Sequence, residues 1–272
     1  MAHLADERTT VNRKPCIGWD NRLYDVTLSG AAAVGFPAIA ARTYQTYEGW
    51  APTGGTGNLT ATMSTSITLG YVGALFMSTP DSATVQLYID GEPIGFGVPA
   101  QGPVMWLLDD ASATVVTIEV QGMTSGFVAN LSAGPRLELP SKLYVGHTPI
   151  TYGRDTVRTS GLSESGQYLG TIERRRSVAT GVSMSNVEPQ TYRDEIDAFV
   201  AQAQIRPHYW AWRSVIPGLD VLATLSPEIN VDVTTPRTEV GYVTVPNAPT
   251  VSNEKSNGMM QIGWSLAGIE QR

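Results

Sequence analysis

The sequence predicts a mostly-β fold with two β-rich domains and one helix, and three observations support this class. The chain has 272 residues with 27 Gly and 17 Pro, and only 16% of its residues are charged, a composition typical of many strands joined by turns. Apolar and polar residues alternate over short stretches, as in strands with one buried face. Only the stretch at about residues 191–205 shows a helical period.

Short strands separated by turns are predicted over residues 15–146. Residues 84–89 (TVQLYI) alternate between apolar and polar side chains, and the Asp90-Gly91 pair that follows them is a hairpin signal. Residues 49–62 are rich in Gly and Thr and are predicted to form a loop. Many strands at such short spacing indicate a β-sandwich or jelly roll.

The pattern changes in the second half of the chain. Residues 148–167 are polar and are predicted to form a long loop or an extended arm, and residues 168–187 to form a strand pair or one long bent strand. Thr191 is the predicted N-cap of the helix, which ends at Pro207. The predicted apolar stripe of the helix consists of Tyr192, Ile196, Phe199, Val200 and Ala203. Further strands are predicted at residues 207–213, 219–225, 239–245 and 258–271.

Charge and cysteine usage exclude several classes of protein. A net charge of −7 argues against sequence-specific or general nucleic-acid binding, which needs a basic surface. The single Cys16 excludes an internal disulfide or a multi-cysteine zinc site, and we expect a buried or incidental thiol. The N-terminus is too polar for a signal peptide, and no apolar run approaches the roughly 20 residues of a membrane span. We therefore expect synthesis in a reducing cytoplasm.

No group of residues has the pattern of a catalytic or metal site. His3, His147 and His208 are the three histidines, and none has ligand spacing or an orienting partner in sequence. The adjacent Asp109 and Asp110 would point to opposite faces of a strand, so a turn is the expected interpretation. The sequence therefore predicts no enzyme activity, no metal and no cofactor.

Arg174, Arg175 and Arg176 form the one strong run of charge. In a strand these side chains alternate between faces, so that only one or two of them can serve a single partner. They either form a solvated edge that protects the strand from unwanted pairing or contact carboxylates of a neighbouring subunit.

Two groups of aromatic residues are candidate binding surfaces. Tyr44, Tyr47 and Trp50 flank the Gly/Thr-rich loop and either stack on sugar rings or pack beneath the loop. The second group, Tyr209, Trp210 and Trp212, follows the helix. Side chains alternate between the two faces of a strand, so Tyr209 should face one way and Trp210 and Trp212 the other. One side of this strand should cover the helix stripe, which predicts a combined core and subunit interface.

The order of elements in the second half resembles the tail-tube and distal tail (tail-tip) proteins of long-tailed, siphovirus-like bacteriophages. The resemblance rests on RRRSVATGVSMSN, the helix TYRDEIDAFVAQAQ, the aromatic strand RPHYWAWR and the closing NGMMQIGWSLAGIEQ. The first half, with CIGWDNRLYDVTLSG and ITLGYVGALFMSTPDSATVQLYIDG, is similar to the galactose-binding-like jelly roll found in phage tail proteins.

The resemblance implies a galactose-binding-like β-sandwich at residues 15–147. It also implies a tail-tube-like β-sandwich or barrel with one packed helix, at residues 148–272 and with 1–14 as a further candidate part. Typical distal tail proteins place the ring-forming domain first. Here the order is either inverted or the jelly roll is inserted after residues 1–14.

The function that this resemblance implies is structural. The expected role is a virion protein at the tail tip, made in the host cytoplasm, that links the tail tube to the tip or baseplate. It would form a homo-oligomeric ring, a hexamer or a trimer, and contact other tail proteins. The alternative is a carbohydrate-binding module that recognises host-surface glycans through Tyr44, Tyr47 or Trp50.

Overall fold

The computed structural model describes residues 3–6, 14–140, 154–211, 240–253 and 258–269. The strands in these ranges form a seven-stranded sheet and an eight-stranded sheet. The predicted mostly-β class is therefore confirmed.

We call the two sheets sheet A and sheet B. Sheet A contains β1 (His3–Asp6), β3 (Thr27–Ser29), β4 (Gly57–Met77), β5 (Thr84–Ile89), β6 (Glu92–Pro99), β7 (Gly102–Gln121) and β8 (Phe127–Gly134). Sheet B contains β2 (Cys16–Gly18), β9 (Arg136–Glu138), β10 (Arg154–Leu162), β11 (Tyr168–Val187), β12 (His208–Ala211), β13 (Val240–Thr244), β14 (Thr250–Asn253) and β15 (Met260–Ile269). The 3-10 helices Ala38–Arg42 and Thr53–Gly55 lie between β3 and β4.

Two long antiparallel strands, β4 and β7, form the centre of sheet A. The first half of β4 pairs with β3 on its other side and the second half with β8. Residues 57–62 belong to β4, so the predicted loop at 49–62 is wrong for its second half. Buried and exposed residues alternate over 57–63, and the β-branched threonines of this stretch suit a half-buried strand.

Sheet B combines β10 to β15 from the second half of the chain with two short strands, β2 and β9, from the two ends of the first half. β2 pairs with β12 on one side and with β9 on the other. All of sheet A except β1 lies in the chain between β2 and β9. The sheet-A segment is therefore inserted into sheet B at residues 18 and 136. The division at residue 147 stays a prediction.

Three apolar clusters hold this arrangement together. One lies within sheet A, and a second joins sheet B to the helix. The third lies between the two sheets, where Tyr71 and Leu75 of β4 pack with Tyr209 of β12 and Tyr242 of β13. Such burial of aromatic side chains is a large source of stability.

Close approach of β4 to β12 depends on a glycine. A Cβ atom added to Gly73 would lie 2.6 Å from ring carbons of Tyr209. The Tyr209 ring therefore packs directly on the β4 backbone. Any larger residue at position 73 would push the two sheets apart.

The helical segment between β11 and β12 begins earlier than predicted. It consists of α1 (Pro189–Thr191), a π-helical turn (Tyr192–Ile196) and α2 (Asp197–Ala203). Glu188 occupies the N-cap position, and Pro189 occupies the first turn, where its missing N–H costs nothing. Thr191 has helical backbone angles, so the predicted N-cap is wrong. Four of the five residues of the predicted stripe are buried, namely Ile196, Phe199, Val200 and Ala203.

The β10–β11 hairpin extends beyond sheet B. Residues 148–167 are predicted to form either a long loop or an extended arm, and the loop alternative is wrong for residues 154–162, which form β10. Residues 148–153 lie outside the described residues. β11 is one long strand, as one of the two predicted alternatives has it. Its pairing with β15 begins only at Ser177, whereas its pairing with β10 starts at Tyr168. Among the described residues, strand residues 156–176 therefore pair only with each other, and we call this two-stranded segment the ribbon.

No helix within the described ranges is both long and apolar enough to cross a membrane.

Candidate functional site

Trp50, one of the predicted glycan contacts, is buried. Its indole N–H donates a hydrogen bond to the carbonyl oxygen of Ala31 at 3.2 Å. Its backbone exchanges hydrogen bonds of 2.9 and 2.7 Å with Val128. The Trp50 ring belongs to the core beneath the loop, which is the packing alternative of the prediction. The alternative of a glycan contact is wrong for this residue.

The other two predicted glycan contacts reach the surface. Tyr47 is 75% exposed, whereas Tyr44 is partly buried. Both lie in the segment 43–49 that follows the first 3-10 helix. Tyr47 therefore presents its ring to solvent, and Tyr44 presents only part of it.

Tyr44 belongs to a cluster that the sequence did not predict. Its ring stacks on that of Tyr24, with ring centroids 5.5 Å apart and an angle of 18° between the planes. The guanidinium carbon of Arg206 lies 4.9 Å from the Tyr24 centroid and 5.3 Å from the Tyr44 centroid. Each cation–π contact of this kind contributes about 0.5–1 kcal/mol when exposed. We call Tyr24, Tyr44 and Arg206 the tyrosine–arginine site.

A buried asparagine holds the turn that carries Tyr24. The Asn21 side-chain oxygen accepts hydrogen bonds from the backbone N–H of Leu23 at 3.0 Å and of Ala133 at 3.3 Å. The bond to the residue two positions on is an Asx turn. A further backbone bond from Val26 to Leu23 closes the turn. The position of Tyr24 is thereby fixed relative to β8.

Tyr44 is held in a similar way from the opposite side. The Asn130 side-chain N–H donates to the backbone oxygen of Thr43 at 2.8 Å, and the N–H of Thr43 donates to Ala40 at 3.3 Å. Asn130 is fully buried in β8. The start of the Tyr44 loop is therefore attached to the same strand as the Tyr24 turn.

Arg206 enters the site from the other half of the chain. It follows α2, and its backbone N–H donates to the oxygen of Gln202 at 3.0 Å. Among the described residues no carboxylate forms an ion pair with Arg206, since the ion pairs found there join other side chains. The guanidinium group is partly buried, and the aromatic faces compensate part of its lost hydration.

Three buried polar atoms beneath this site lack hydrogen-bond partners among the described residues. They are Nδ2 of Asn21, the hydroxyl of Tyr44 and the hydroxyl of Tyr242. Burial raises the pKa of Tyr44, an effect that nearby Arg206 and Asn21 oppose, although neither makes a hydrogen bond of good geometry to its hydroxyl. Burial is also the main cause of the raised pKa of Tyr242, with the neighbouring Tyr44 as a second cause. Both hydroxyls therefore keep their protons at neutral pH.

Two further buried tyrosines of the same region have partners. The hydroxyls of Tyr71 and Ser132 share a hydrogen bond of 2.6 Å. The hydroxyl of Tyr209 donates to Oδ1 of Asn130 at 3.0 Å. Within this group of tyrosines the hydroxyls without partners are therefore those of Tyr44 and Tyr242. Side-chain nitrogens elsewhere in the described residues also lack partners, namely those of Trp106, Arg136, His208 and Trp264.

The residues predicted at a subunit interface are not brought together. Tyr209 and Trp210 are buried within this chain, and Trp210 packs on Phe199 of the helix and on Trp264, with centroids 6.3 and 6.0 Å apart. Trp210 packs against the helix on one side of β12, and Tyr209 packs against sheet A on the other side. Both sides of this strand are therefore covered within the chain, and neither ring is exposed to another copy. Trp212 lies outside the described residues.

Arg174, Arg175 and Arg176 lie in β11, in the ribbon. The backbone of Arg175 is paired with Val157 and that of Arg176 with Thr156. This stretch of β11 has β10 as its described neighbour in the sheet. An interface role for the three arginines stays a prediction.

Among the described residues, His208, Cys16 and Asp110 each lie in a different environment. Burial lowers the pKa of His208 to about 3, and its ring lies edge-on to Phe199 with centroids 4.9 Å apart. Cys16 is buried, and Oδ1 of Asp110 pairs with Arg136 at 3.0 Å. Within the described ranges no three His, Cys, Asp or Glu side chains are placed to hold a metal ion. His147 lies outside the described residues.

No protein-family model matches this sequence, and no curated protein matches it. Among solved structures, chitosan-binding module 1 of a chitosanase/glucanase from Paenibacillus sp. IK-5 matches 43% of this chain and 99% of its own, at 15% identity and a TM-score of 0.35. A fucose-binding module from Streptococcus pneumoniae matches 43% of this chain and 96% of its own, at 12% identity and a TM-score of 0.29.

A chain from Bacteroides thetaiotaomicron described as an alpha-L-fucosidase matches 44% of this chain at 10% identity and a TM-score of 0.33. This chain covers only 29% of the length of that protein. Two of the three proteins are carbohydrate-binding modules, and none is a phage tail protein. At these TM-scores the likenesses carry no argument about the function of this chain.

Sequence reasoning found Tyr44 and Tyr47 but missed Tyr24, Arg206 and Tyr242. The tyrosines were found because they flank a Gly/Thr-rich segment. The others come from a turn, the end of a helix and a strand that lie far apart in sequence. No local pattern marks them, and only the fold brings them together.

Proposed function

We propose that this chain is a carbohydrate-binding protein that contacts a glycan through Tyr24, Tyr44 and Tyr47. The observation that carries the proposal is the partly exposed Tyr24–Tyr44 stack, held in place by Arg206. Aromatic rings offer an apolar face and a polar edge, which suits a ligand whose surface has both kinds of group. Tyr47, which is 75% exposed and lies three residues after Tyr44 in the same segment, offers a further aromatic contact.

Rigid attachment of both tyrosine loops supports the same proposal. Asn21 and Asn130 tie the two loops to β8 by hydrogen bonds of 2.8–3.3 Å. A surface that is already ordered loses little conformational entropy when it binds a ligand. No catalytic group is needed for such a role.

The test is a glycan array, followed by titration calorimetry with any glycan that binds. We expect Tyr47→Ala and Tyr24→Ala to weaken binding at least tenfold, since each removes an aromatic contact. Tyr168→Ala is the matched control, because Tyr168 is 65% exposed and lies at the tip of the ribbon. A blank array with folded protein, or equal losses in all three variants, would contradict the proposal.

The ribbon favours a second candidate function, a structural subunit that assembles with further copies of itself. Isolated two-stranded ribbons are marginally stable in water, and the tip of this one exposes Tyr168 and Leu169 at 65% and 68%. A ring subunit of a phage tail tip, which contacts other tail proteins and resides in the virion, is the finer form of this proposal. The resemblance noted in the sequence supports it.

Electron microscopy and light scattering of the purified protein test this second candidate. We expect closed rings that Tyr168→Ser combined with Leu169→Ser converts to monomers. Val34→Ser is the control, because Val34 is an equally apolar and fully exposed side chain far from the ribbon in sequence. A monomer at all concentrations would rule out self-assembly and leave the glycan proposal untouched.

A further inference from the structure

We propose that the glycan bound at this site carries a carboxylate, and that Arg206 binds this group together with the side chains of Asn21, Tyr44 and Tyr242. The inference rests on the proposed function, because it names the chemical class of the glycan. The class would be acidic sugars, in which a carboxylate replaces a neutral substituent of the ring.

The first argument is the set of hydrogen-bond donors. The unpartnered polar atoms are one amide nitrogen, on Asn21, and the hydroxyls of Tyr44 and Tyr242. An amide nitrogen only donates, a guanidinium group only donates, and each phenol can donate one hydrogen. A carboxylate only accepts, and its two oxygens take about four hydrogen bonds. A neutral sugar hydroxyl would also require acceptors, which this set offers only through the two phenols.

The second argument is burial. Asn21 is 8% exposed and Tyr242 is 3% exposed. Buried polar side chains nearly always have partners in folded proteins. The electrostatic effects of Arg206 and Asn21 on Tyr44, and of Tyr44 on Tyr242, place these groups near one another. Three buried atoms without partners in this region therefore indicate a position that a polar group from outside the described residues completes.

The third argument is charge. Arg206 has no carboxylate partner among the described residues. Asp20, which lies beside Asn21 in sequence, is paired with Arg22 at 2.6 Å. The raised pKa values of Tyr44 and Tyr242 keep both phenols neutral at physiological pH. The site is therefore cationic, and an anionic group bound there neutralises it.

The fourth argument is access. Tyr24 is 38% exposed and Tyr44 is partly exposed, whereas the Tyr44 hydroxyl is buried. The Tyr44 side chain thus extends from the surface to the unpartnered atoms. Because these atoms are buried in the free protein, a carboxylate reaches them only when the partly exposed Tyr44 side chain moves aside, while the rest of the sugar stacks on the exposed aromatic surface.

The experiment compares oligosaccharides that contain uronic acids with their neutral counterparts, by titration calorimetry against the full chain. We expect the acidic ligand to bind more tightly, and Arg206→Gln to weaken it about tenfold to 100-fold, the range of a charge-assisted hydrogen bond. Tyr242→Phe should weaken it about threefold to tenfold. Arg193→Gln is the matched control, since Arg193 is an exposed arginine on the helical segment.

Each possible result decides between the two proposals. Neutral glycans that bind equally well, with no effect of Arg206→Gln, would refute the carboxylate inference and leave the glycan-binding proposal intact. Failure of every glycan to bind, acidic or neutral, would refute both. Glucuronate and acetate are also titrated as free ligands. Equal affinity for the two would mean that the site binds any small carboxylate and does not recognise the sugar.

Folding of the variants is checked independently by circular dichroism and thermal unfolding. Tyr242→Phe should leave the free protein as stable as before, because the lost hydroxyl has no partner within the described residues. Weaker binding without loss of stability in this variant supports a direct contact. Equal loss of affinity for acidic and neutral ligands would contradict it.

Discussion

Two buried tyrosines that touch each other should respond differently to loss of their hydroxyl groups. The rings of Tyr209 and Tyr242 lie with centroids 5.0 Å apart, and both side chains are at most 3% exposed. The Tyr209 hydroxyl donates to Oδ1 of Asn130 at 3.0 Å, whereas the Tyr242 hydroxyl has no partner among the described residues. The substitutions Tyr209→Phe and Tyr242→Phe remove the same atom from the same cluster.

The magnitudes follow from this difference. Tyr209→Phe leaves Oδ1 of the fully buried Asn130 without its donor, which costs about 1–3 kcal/mol in free energy of unfolding. Tyr242→Phe removes an unsatisfied buried group, so we expect a change within about 0.5 kcal/mol or a slight gain in stability. In a chain of this length 1 kcal/mol corresponds to roughly 2–4 °C in Tm. The expected separation of the two variants is therefore measurable.

Urea unfolding followed by tryptophan fluorescence measures both free energies, with unchanged m values as the check that the unfolding transition is the same. The reasoning is refuted if Tyr242→Phe costs as much as Tyr209→Phe. That result would mean that the Tyr242 hydroxyl is hydrogen-bonded in the free protein, and it would remove one donor from the proposed carboxylate site. The double variant should show additivity unless the two rings shift together.

Three further predictions concern the same region. Gly73→Ala should destabilise the protein by about 1–3 kcal/mol, because its methyl group would meet the Tyr209 ring, and chemical denaturation measures this. Burial lowers the pKa of His208 to about 3, whereas the pKa in the unfolded chain is near 6.5. The free energy of unfolding is therefore unaffected by His208 above pH 6.5. It falls as the pH drops from 6.5 toward 3, by up to about 1.4 kcal/mol per pH unit, because only the unfolded chain binds the proton. His208→Phe should flatten that acid limb in a pH series of melts. Burial raises the pKa values of Tyr209 and Tyr242 above 10. Above pH 10 these tyrosines lose their protons more readily in the unfolded chain, so the free energy of unfolding should fall there. Thermal melts at alkaline pH should show a smaller fall for Tyr209→Phe and Tyr242→Phe.

Local periodicity explains which elements the sequence predicted. The alternation in residues 84–89 becomes β5, with its apolar residues buried. The helix stripe predicted the four buried residues of the helical segment, because an amphipathic period is imposed by the sheet beneath it. The start of that helix was misplaced, since Pro189 at the first turn outweighs the capping preference of Thr191.

Features that depend on distant pairing escaped the sequence. β2 and β9 have three residues each, too few to show a period. They pair with each other over a long separation in sequence, from Gly18 to Arg136, and the other partner of β2, β12, lies far along the chain. The sequence of the ribbon strand β10 is polar and shows no alternation of apolar and polar residues that would have predicted a strand, and its described neighbour is β11. The sequence left two alternatives open for Trp50, because the backbone bridge to Val128 that accompanies its burial in the core is invisible in the sequence.

The insertion of the sheet-A segment into sheet B accounts for the composition of the candidate site. Asn21, Tyr24 and Tyr44 belong to the inserted segment, whereas Arg206 lies between α2 and β12 and Tyr242 lies in β13 of sheet B. Chain connections at residues 18 and 136 and the apolar cluster between the sheets hold these two groups in register. A ligand that contacts both groups binds only when the sheets are docked, so its binding free energy adds to the stability of that docking. Sequence-local reasoning could not assemble such a site, because each half contributes a part with no binding pattern of its own.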